Sequence, residues 1–463
     1  MPRPVLMLEF NELSPELMHR FITEGHLPNF KRLHDESLVY VTDAEEEQDV
    51  LEPWIQWVTV HTGLSYGEHG VFQLGDGPKC KKLRIWDILS REGFTNWICG
   101  SMNLRYEEPF NGVLLPDPWT VGAKPHPVHE FDAYLRFVTV QVQEHTNKSV
   151  PLSASDYIAF LRWMMAHGLS LSTITYIVRQ LANERITGKF HWRRAIVLDR
   201  LQWDVFNWYF KRVKPDFSTF FLNSTAHFQH VHWRNMDPTP FAVKPTDKEQ
   251  ANYENAVLYG YQQMDDVVGR ALALAGNTHT IVFSSALGQQ PCVKYEESGG
   301  KVFYRPHNFR AFTSWAGLTM PHEIQPVMSE EFHVILESED DAKAAEAQLA
   351  TLMMNGRQVM RVRREGTDLM VGCGIFDRID GEPTISAAGQ PVAKFFELFY
   401  LADGLKSGMH HPDGILWIRN ESRHHYVHPE KIPLRSVAPT LLAMFGVDAR
   451  AWMPGEVLGG APR

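Results

Sequence analysis

The chain of 463 residues has only four cysteines, Cys80, Cys99, Cys292 and Cys373, and no two of them form a CxxC pair. A disulfide framework is therefore not indicated, and the thiols read as buried and free in a reducing cytoplasm. Long apolar runs are missing as well: no stretch reaches the ~18 residues that a membrane span requires. The opening MPRPVLMLEF has too short an apolar run for a signal peptide and reads as a first strand. Basic charge is in deficit. With 45 Lys and Arg against 55 Asp and Glu the formal net charge is −10, and a nucleic-acid partner would need a basic footprint instead. Internal repeats and low-complexity linkers are absent. What is present, 44% hydrophobic and 22% charged residues, is the composition of a folded protein long enough for two or three structural units. A cytoplasmic location is expected.

Strand and helix signals alternate through most of the chain. Val5–Phe10 is a continuous apolar run with one Glu, as suits a buried parallel strand. Ser14-Pro15-Glu16 follows as a helix start, with Ser as N-cap and Pro at the first helical position. Trp54, Trp57 and Val58 share a helical stripe within Glu52–Gly63, and Leu83–Gly93 is an amphipathic helix before the strand Phe94–Cys99. Residues 119–215 change character. Their long helical runs, Tyr157–His167, Leu171–Glu184 and Trp192–Lys211, predict a helical cap over the carboxyl edge of a sheet. Strand signals return at Phe217–Leu222 and Thr280–Phe283, separated by a long helix over Tyr253–Ala275. Phe332–Leu336, Asp340–Met354 and the hairpin Val359–Arg364 with Leu369–Val371 predict a small α+β insertion.

Certain motifs are more specific. Gly25-His26-Leu27-Pro28-Asn29-Phe30 is followed by Thr62-Gly63, His69-Gly70 and Asn111-Gly112-Val113-Leu114-Leu115. Later come Gln229-His230, Trp233-Arg234 and Asp237-Pro238, then Ser284-Ser285-Ala286-Leu287-Gly288 and His410-His411-Pro412-Asp413-Gly414. The chain closes with Ala438-Pro439-Thr440-Leu441-Leu442 and Met453-Pro454-Gly455. In order and spacing these resemble the type I phosphodiesterase/nucleotide pyrophosphatase branch of the alkaline phosphatase superfamily. The resemblance implies an α/β, alkaline-phosphatase-like sandwich with a mostly parallel central sheet. Its core would take residues 1–118, 216–320 and 386–463, with the helical cap at 119–215 and the small α+β insertion at 321–385.

The chemistry of that branch does not carry over intact. Its two metals activate a Thr or Ser and stabilise the oxygens of an in-line phosphoryl displacement. One metal would need positions 11, 53, 286 and 287, occupied here by Asn11, Pro53, Ala286 and Leu287. Pro has no nucleophile, and Ala and Leu cannot bind a cation, so that metal is lost. The other would use positions 226, 230 and 410, here Ala226, His230 and His410, with His227 close to the missing acid. Two or three imidazoles with one open position suit one divalent ion, zinc or manganese. The same residues read equally as relics held by hydrogen bonds, with no metal at all. Without metal, Glu9, on the same strand face as Asn11, and Glu52, beside the vacated nucleophile position, are candidates for acid–base work, and with Asn11 and His230 they make up the candidate catalytic set. A Glu pair would also suit glycosyl chemistry. Both have plainer readings, Glu9 as a buried structural carboxylate and Glu52 as an acid at a helix start. Arg234, Arg305, His307 and His411 are candidates for contacts with an anionic substrate.

Three functions follow from these residues. The first is a diverged hydrolase or transferase acting on a phosphate- or sugar-bearing small molecule with one metal or a metal-free Glu/His site. The second is a pseudoenzyme that binds an anionic ligand or a protein partner. The third is a two-metal phosphodiesterase in which Asp43, Glu45–Glu47, Asp49 or Asp76 supply the missing carboxylates. The aromatic-rich helices over 157–210 suit a lid or a homodimer face.

Overall fold

The computed structural model describes residues 2–47, 50–120, 122–143, 152–326, 331–402 and 405–459. The first strand, β1 (Val5–Phe10), is buried along its whole length, which explains its unbroken apolar sequence. It is followed by α1 (Pro15–Thr23), where the Ser14 side chain accepts from the Leu17 N–H and Pro15 occupies the first turn. Next come β2 (Leu38–Asp43), α2 (Pro53–Thr62), β3 (Asn96–Cys99) and β4 (Gly112–Leu115). Four cap helices follow: α3 (Asp132–Gln143), α4 (Ala154–Ala166), α5 (Leu171–Thr187) and α6 (Ala195–Val213). The core resumes with β5 (Phe217–Leu222), α7 (Ser224–Met236), α8 (Ala256–Ala275), β6 (Thr280–Ser285) and β7 (Gly288–Pro291). Near the end lie β8 (Gly408–His411) and β9 (Asp413–Arg419).

The central sheet runs β2-β9-β6-β1-β5-β3-β4, extended beyond β2 by the short strand Tyr426–Val427. β1 pairs in parallel with both β5 and β6, and β3 in parallel with β4 and β5; only β9 runs antiparallel, between β2 and β6. This is the α/β architecture expected from the sequence. Helices cover both faces. One apolar layer joins α1, α6 and α8 to the sheet, and the other joins α2 and the C-terminal helix Val437–Met444. The cap is locked to the sheet through aromatic rings: Trp97 stacks between Phe131 and Phe206, and its indole N–H donates to the Phe206 carbonyl.

The small insertion is a four-stranded antiparallel sheet, Met360–Glu365, Asp368–Cys373, Phe332–Leu336 and His322–Pro326, with the helix Glu339–Ala350 packed against it. Its own apolar core also takes Tyr304, Phe309 and Phe312 before it and Phe395 and Phe399 after it, so residues flanking 321–385 pack as part of the same unit. All four cysteines are buried and outside any disulfide. Among the described residues, no helix is long and apolar enough to cross a membrane.

Candidate active site

The carboxyl ends of β1, β5 and β6 converge with α7 and β8, the place where open α/β sheets bind ligands. Beyond the end of β1, the Asn11 N–H still donates to the Leu222 carbonyl at 2.9 Å, so one more residue stays in register with β5. Glu12 then turns into the left-handed region, at φ 60°. A non-glycine residue adopts that conformation only where its surroundings hold it. Here the Leu13 N–H donates to Ser285 Oγ and the Ser14 N–H to Tyr261 Oη, both at 2.9 Å, while Gln229 Nε2 donates to the Glu12 carbonyl at 2.7 Å.

This turn directs the Glu12 carboxylate at two imidazoles. Glu12 Oε2 lies 2.8 Å from His230 Nε2 and 3.4 Å from His410 Nε2. Asn11 Nδ2 donates to Glu12 Oε1 at 2.8 Å, and Gln289 Nε2 donates to Oε2. Burial alone would raise the Glu12 pKa, but His230 and His410 overcome it and hold the carboxyl well below the usual range. His230 comes from the middle of α7, and its Nδ1 faces the Gly408 carbonyl at 3.1 Å. That contact fixes the ring with Nδ1 on the carbonyl and Nε2 turned toward Glu12. His410 comes from β8, opposite Gln289 of β7. Gly408 is required at the root of this ribbon, since a Cβ there would meet Gln289 Oε1 at 2.2 Å and the Gln229 carbonyl oxygen at 2.6 Å.

Among the described residues, Glu12, His230 and His410 are a group whose ligand atoms all lie within 4.8 Å of one another. Tetrahedral bonds of about 2.0–2.1 Å set ligand atoms roughly 3.3 Å apart, close to the Glu12–His410 separation. Two imidazoles and one carboxylate, with the partner of His230 Nδ1 in place, fit a divalent transition ion such as zinc. Glu12 thus places a carboxylate beside these imidazoles from the neighbouring strand end, where Ala226 offers none.

Glu52 stands on the other side of His410, its Oε2 3.6 Å from His410 Nδ1. It is the N-cap residue of α2, yet its side chain makes no capping bond, so the carboxyl is left to the cleft. Burial raises its pKa to about 7, against the pull of His410 and Lys406. Burial alone would lower His410, but Glu12 and Glu52 prevail and its pKa is raised. A carboxyl that exchanges its proton near neutrality, beside a candidate metal, is suited to general acid–base work.

The other sequence candidates are dispersed. Glu9 is fully buried under the sheet, with Oε1 2.8 Å from His61 Nε2 and Oε2 accepting from Ser101 Oγ at 2.6 Å. It lies outside the cleft. Asn11 is buried behind Glu12; its Nδ2 also donates to Asn223 Oδ1 at 2.7 Å, and its Oδ1 accepts from Trp57 Nε1 at 2.8 Å. It orients Glu12 rather than facing a ligand. Arg234 pairs with Glu296 at 2.7 Å and stacks on Phe241, away from the cleft. His307 packs on Tyr400, and His411 Nδ1 lies 3.2 Å from the Asp413 N–H. Arg305 and His227 do line the cleft, but His227 is not among the three clustered ligands. Of the alternative carboxylates, Asp43 accepts from the Glu45 N–H, Glu46 from the Tyr66 N–H and Asp76 from the Gln73 N–H, and none of them reaches the cleft. Asp49 lies outside the described residues. Pro53 lines the cleft without chemistry, and Ala286 and Leu287 are fully buried.

The cleft itself holds about 1750 Å³ and runs from Glu12, Glu52 and His410 out between the cap helices and the small insertion. Ser224, at the start of α7, donates its hydroxyl to Asp199 of α6, and both line this wall. Burial raises the Asp199 pKa to about 7. Glu12 and this Ser–Asp pair were missed by periodicity. Glu12 follows the strand end that Asn11 was assigned to, and Asp199 and Ser224 belong to separate helices.

No family model and no curated protein matches the sequence. Among solved structures, the phosphonoacetate hydrolase of Sinorhizobium meliloti 1021, in complex with phosphonoformate, is similar at 11% identity and a TM-score of 0.45, over 94% of either chain. Human ectonucleotide pyrophosphatase/phosphodiesterase 5 is similar at 10% identity and a TM-score of 0.46, over 99% of this chain and 98% of that one. Its murine counterpart, an inactive form in complex with AMP, is similar at 11% identity and a TM-score of 0.43. At this distance the likeness is one of fold, and nothing in the site is inferred from it.

Proposed function

We propose that this chain is a diverged hydrolase of the alkaline phosphatase superfamily that cleaves a phosphoester with a single divalent ion at Glu12, His230 and His410. The observation that carries it is the juxtaposition of that cluster with Glu52 at the carboxyl end of the sheet. When bound, such an ion would polarise a phosphoryl oxygen and lower the pKa of a water. The chain's own groups do the rest. Glu52 takes the proton of the attacking water at its carboxylate and returns it to the departing alkoxide, while His410 Nδ1, 3.6 Å from Glu52 Oε2, lies against the same carboxyl. Asn11 and Gln289 fix the Glu12 carboxylate, and the Gly408 carbonyl fixes His230. Lys406 and Arg305 in the cleft wall favour an anionic substrate.

The test is turnover of p-nitrophenyl phosphate and bis(p-nitrophenyl) phosphate by protein reconstituted with zinc or manganese. Glu52→Gln is expected to lower kcat by about 10²–10⁴ with metal retained, the usual contribution of a general base. Absence of turnover on both ester classes with either metal would overturn the proposal. It would favour a binding-only protein, for which the buried Ala286 and Leu287 speak, since both remove a ligand without replacement.

A further inference from the structure

Helix α5 is amphipathic in the wrong sense for a packed helix. Its buried residues are Thr173, Gln180 and Glu184. Glu184 accepts from Arg194 through both carboxylate oxygens and from Gln180, so the polar face is the one that docks on the rest of the cap. The apolar face is left in the open: Ile174 is 40% exposed, Val178 60% and Leu181 51%. On the neighbouring α4, Tyr157 and Leu161 are each 51% exposed. A helix that satisfies its polar side and exposes its apolar stripe has that stripe reserved for something else.

These residues are not a remote surface patch. Ile174, Val178, Leu181, Tyr157 and Leu161 line the same cleft as Glu12, His230 and His410. The cleft is therefore charged where Glu12, His230, His410 and Glu52 lie, and along α4 and α5 its wall is apolar apart from Gln180. Its volume, about 1750 Å³, exceeds the ~300–1,000 Å³ of sites for compact small molecules.

We infer that the substrate is an amphiphile, a phosphoester whose long apolar tail lies along the α4–α5 groove while its head group sits at Glu12, His230 and His410. The inference rests on the proposed hydrolase reading for the head group only; the tail is argued from the groove. Continuity with the polar site selects this occupant over a second copy of the chain or a membrane surface, neither of which would need the groove to open onto His410.

The test measures binding of methyl, butyl, octyl and dodecyl phosphate to the zinc-loaded full chain by calorimetry, each below its micelle concentration. Full burial of a methylene would tighten binding about fourfold, and a half-open groove about half as steeply, roughly twofold per methylene. The double variant Leu161→Gln/Val178→Gln alters only exposed side chains and so keeps the fold. It is expected to flatten the chain-length dependence while binding methyl phosphate as the wild type does. Affinity indifferent to chain length, or a slope unchanged in the variant, would overturn the inference. A wild-type dimer that the variant splits, with no change in slope, would also overturn it by assigning the groove to a second copy. Farnesyl phosphate binding tighter than dodecyl phosphate would support an isoprenoid tail, and the reverse order a straight acyl or alkyl tail. A retained slope without any phosphoester turnover would sink the hydrolase reading alone, and turnover without a slope would sink the amphiphile alone.

Discussion

Removing His230 from the metal-free protein should expose how the site holds its own charge. Glu12 is 4% exposed at its side chain, and His230 Nε2 at 2.8 Å is its nearest imidazole. His410 at 3.4 Å, Asn11 and Gln289 remain after His230→Ala, so the carboxylate is only partly orphaned. Breaking a buried pair on one side costs about 3–5 kcal/mol, and the 27% exposure of His230 together with the remaining partners sets the expectation near 3 kcal/mol. Glu12→Gln removes the charge while keeping the shape and should cost about 1 kcal/mol. The double variant should then be less destabilised than the sum of the two, with a coupling of about 2 kcal/mol. The assay is urea unfolding followed by near-ultraviolet circular dichroism in chelator, on wild type, both single variants and the double. Additivity within about 0.5 kcal/mol, or a His230→Ala cost below about 1 kcal/mol, would refute the claim that Glu12 and His230 act as one buried unit.

Other outcomes follow from the same contacts. Zinc at a hundredfold excess over its dissociation constant should stabilise the wild type by about 2.7 kcal/mol and His410→Ala not at all, read as a shift in the urea midpoint. Gly408→Ala should displace the β8 ribbon and weaken metal binding about 10–100-fold by disturbing His230 and His410 together, measured by competition with a chromogenic chelator. His69 is buried, accepts the Val71 N–H at 3.0 Å on Nδ1 and contacts Thr59 Oγ1 at 3.2 Å, and burial lowers its pKa to about 4. The unfolded chain, with an ordinary imidazole near 6.5, therefore binds the proton first. Stability from this residue is complete above pH ~6.5 and is lost as the pH falls toward 4, up to about 3 kcal/mol. His69→Gln should flatten that part of the stability–pH curve; an unchanged slope would contradict the assignment.

The fold was legible because its signals are local. The all-apolar Val5–Phe10 run, the Ser14-Pro15 helix start and the Phe217–Leu222 strand depend on burial and capping that neighbouring residues dictate. His230 and His410 were legible because each stands in a motif of its own. Glu12 was not. Period-two alternation assigns the strand end to Glu9 and Asn11, and only the left-handed turn at residue 12 sends the next side chain into the cleft. Arg234 failed as an anion contact for the opposite reason: its partner Glu296 is 62 residues away, a distance no spacing rule spans. The inverted face of α5 is visible only in three dimensions, where Glu184 and Gln180 are buried and Arg194 pairs with Glu184.

The most direct measurement is the metal content of the full chain after equilibration with zinc and removal of excess, compared with Glu12→Ala and His410→Ala. One ion per wild-type chain, absent from both variants, is the expected result. No bound ion, or an ion retained equally by both variants, would contradict a metal centre built from Glu12, His230 and His410.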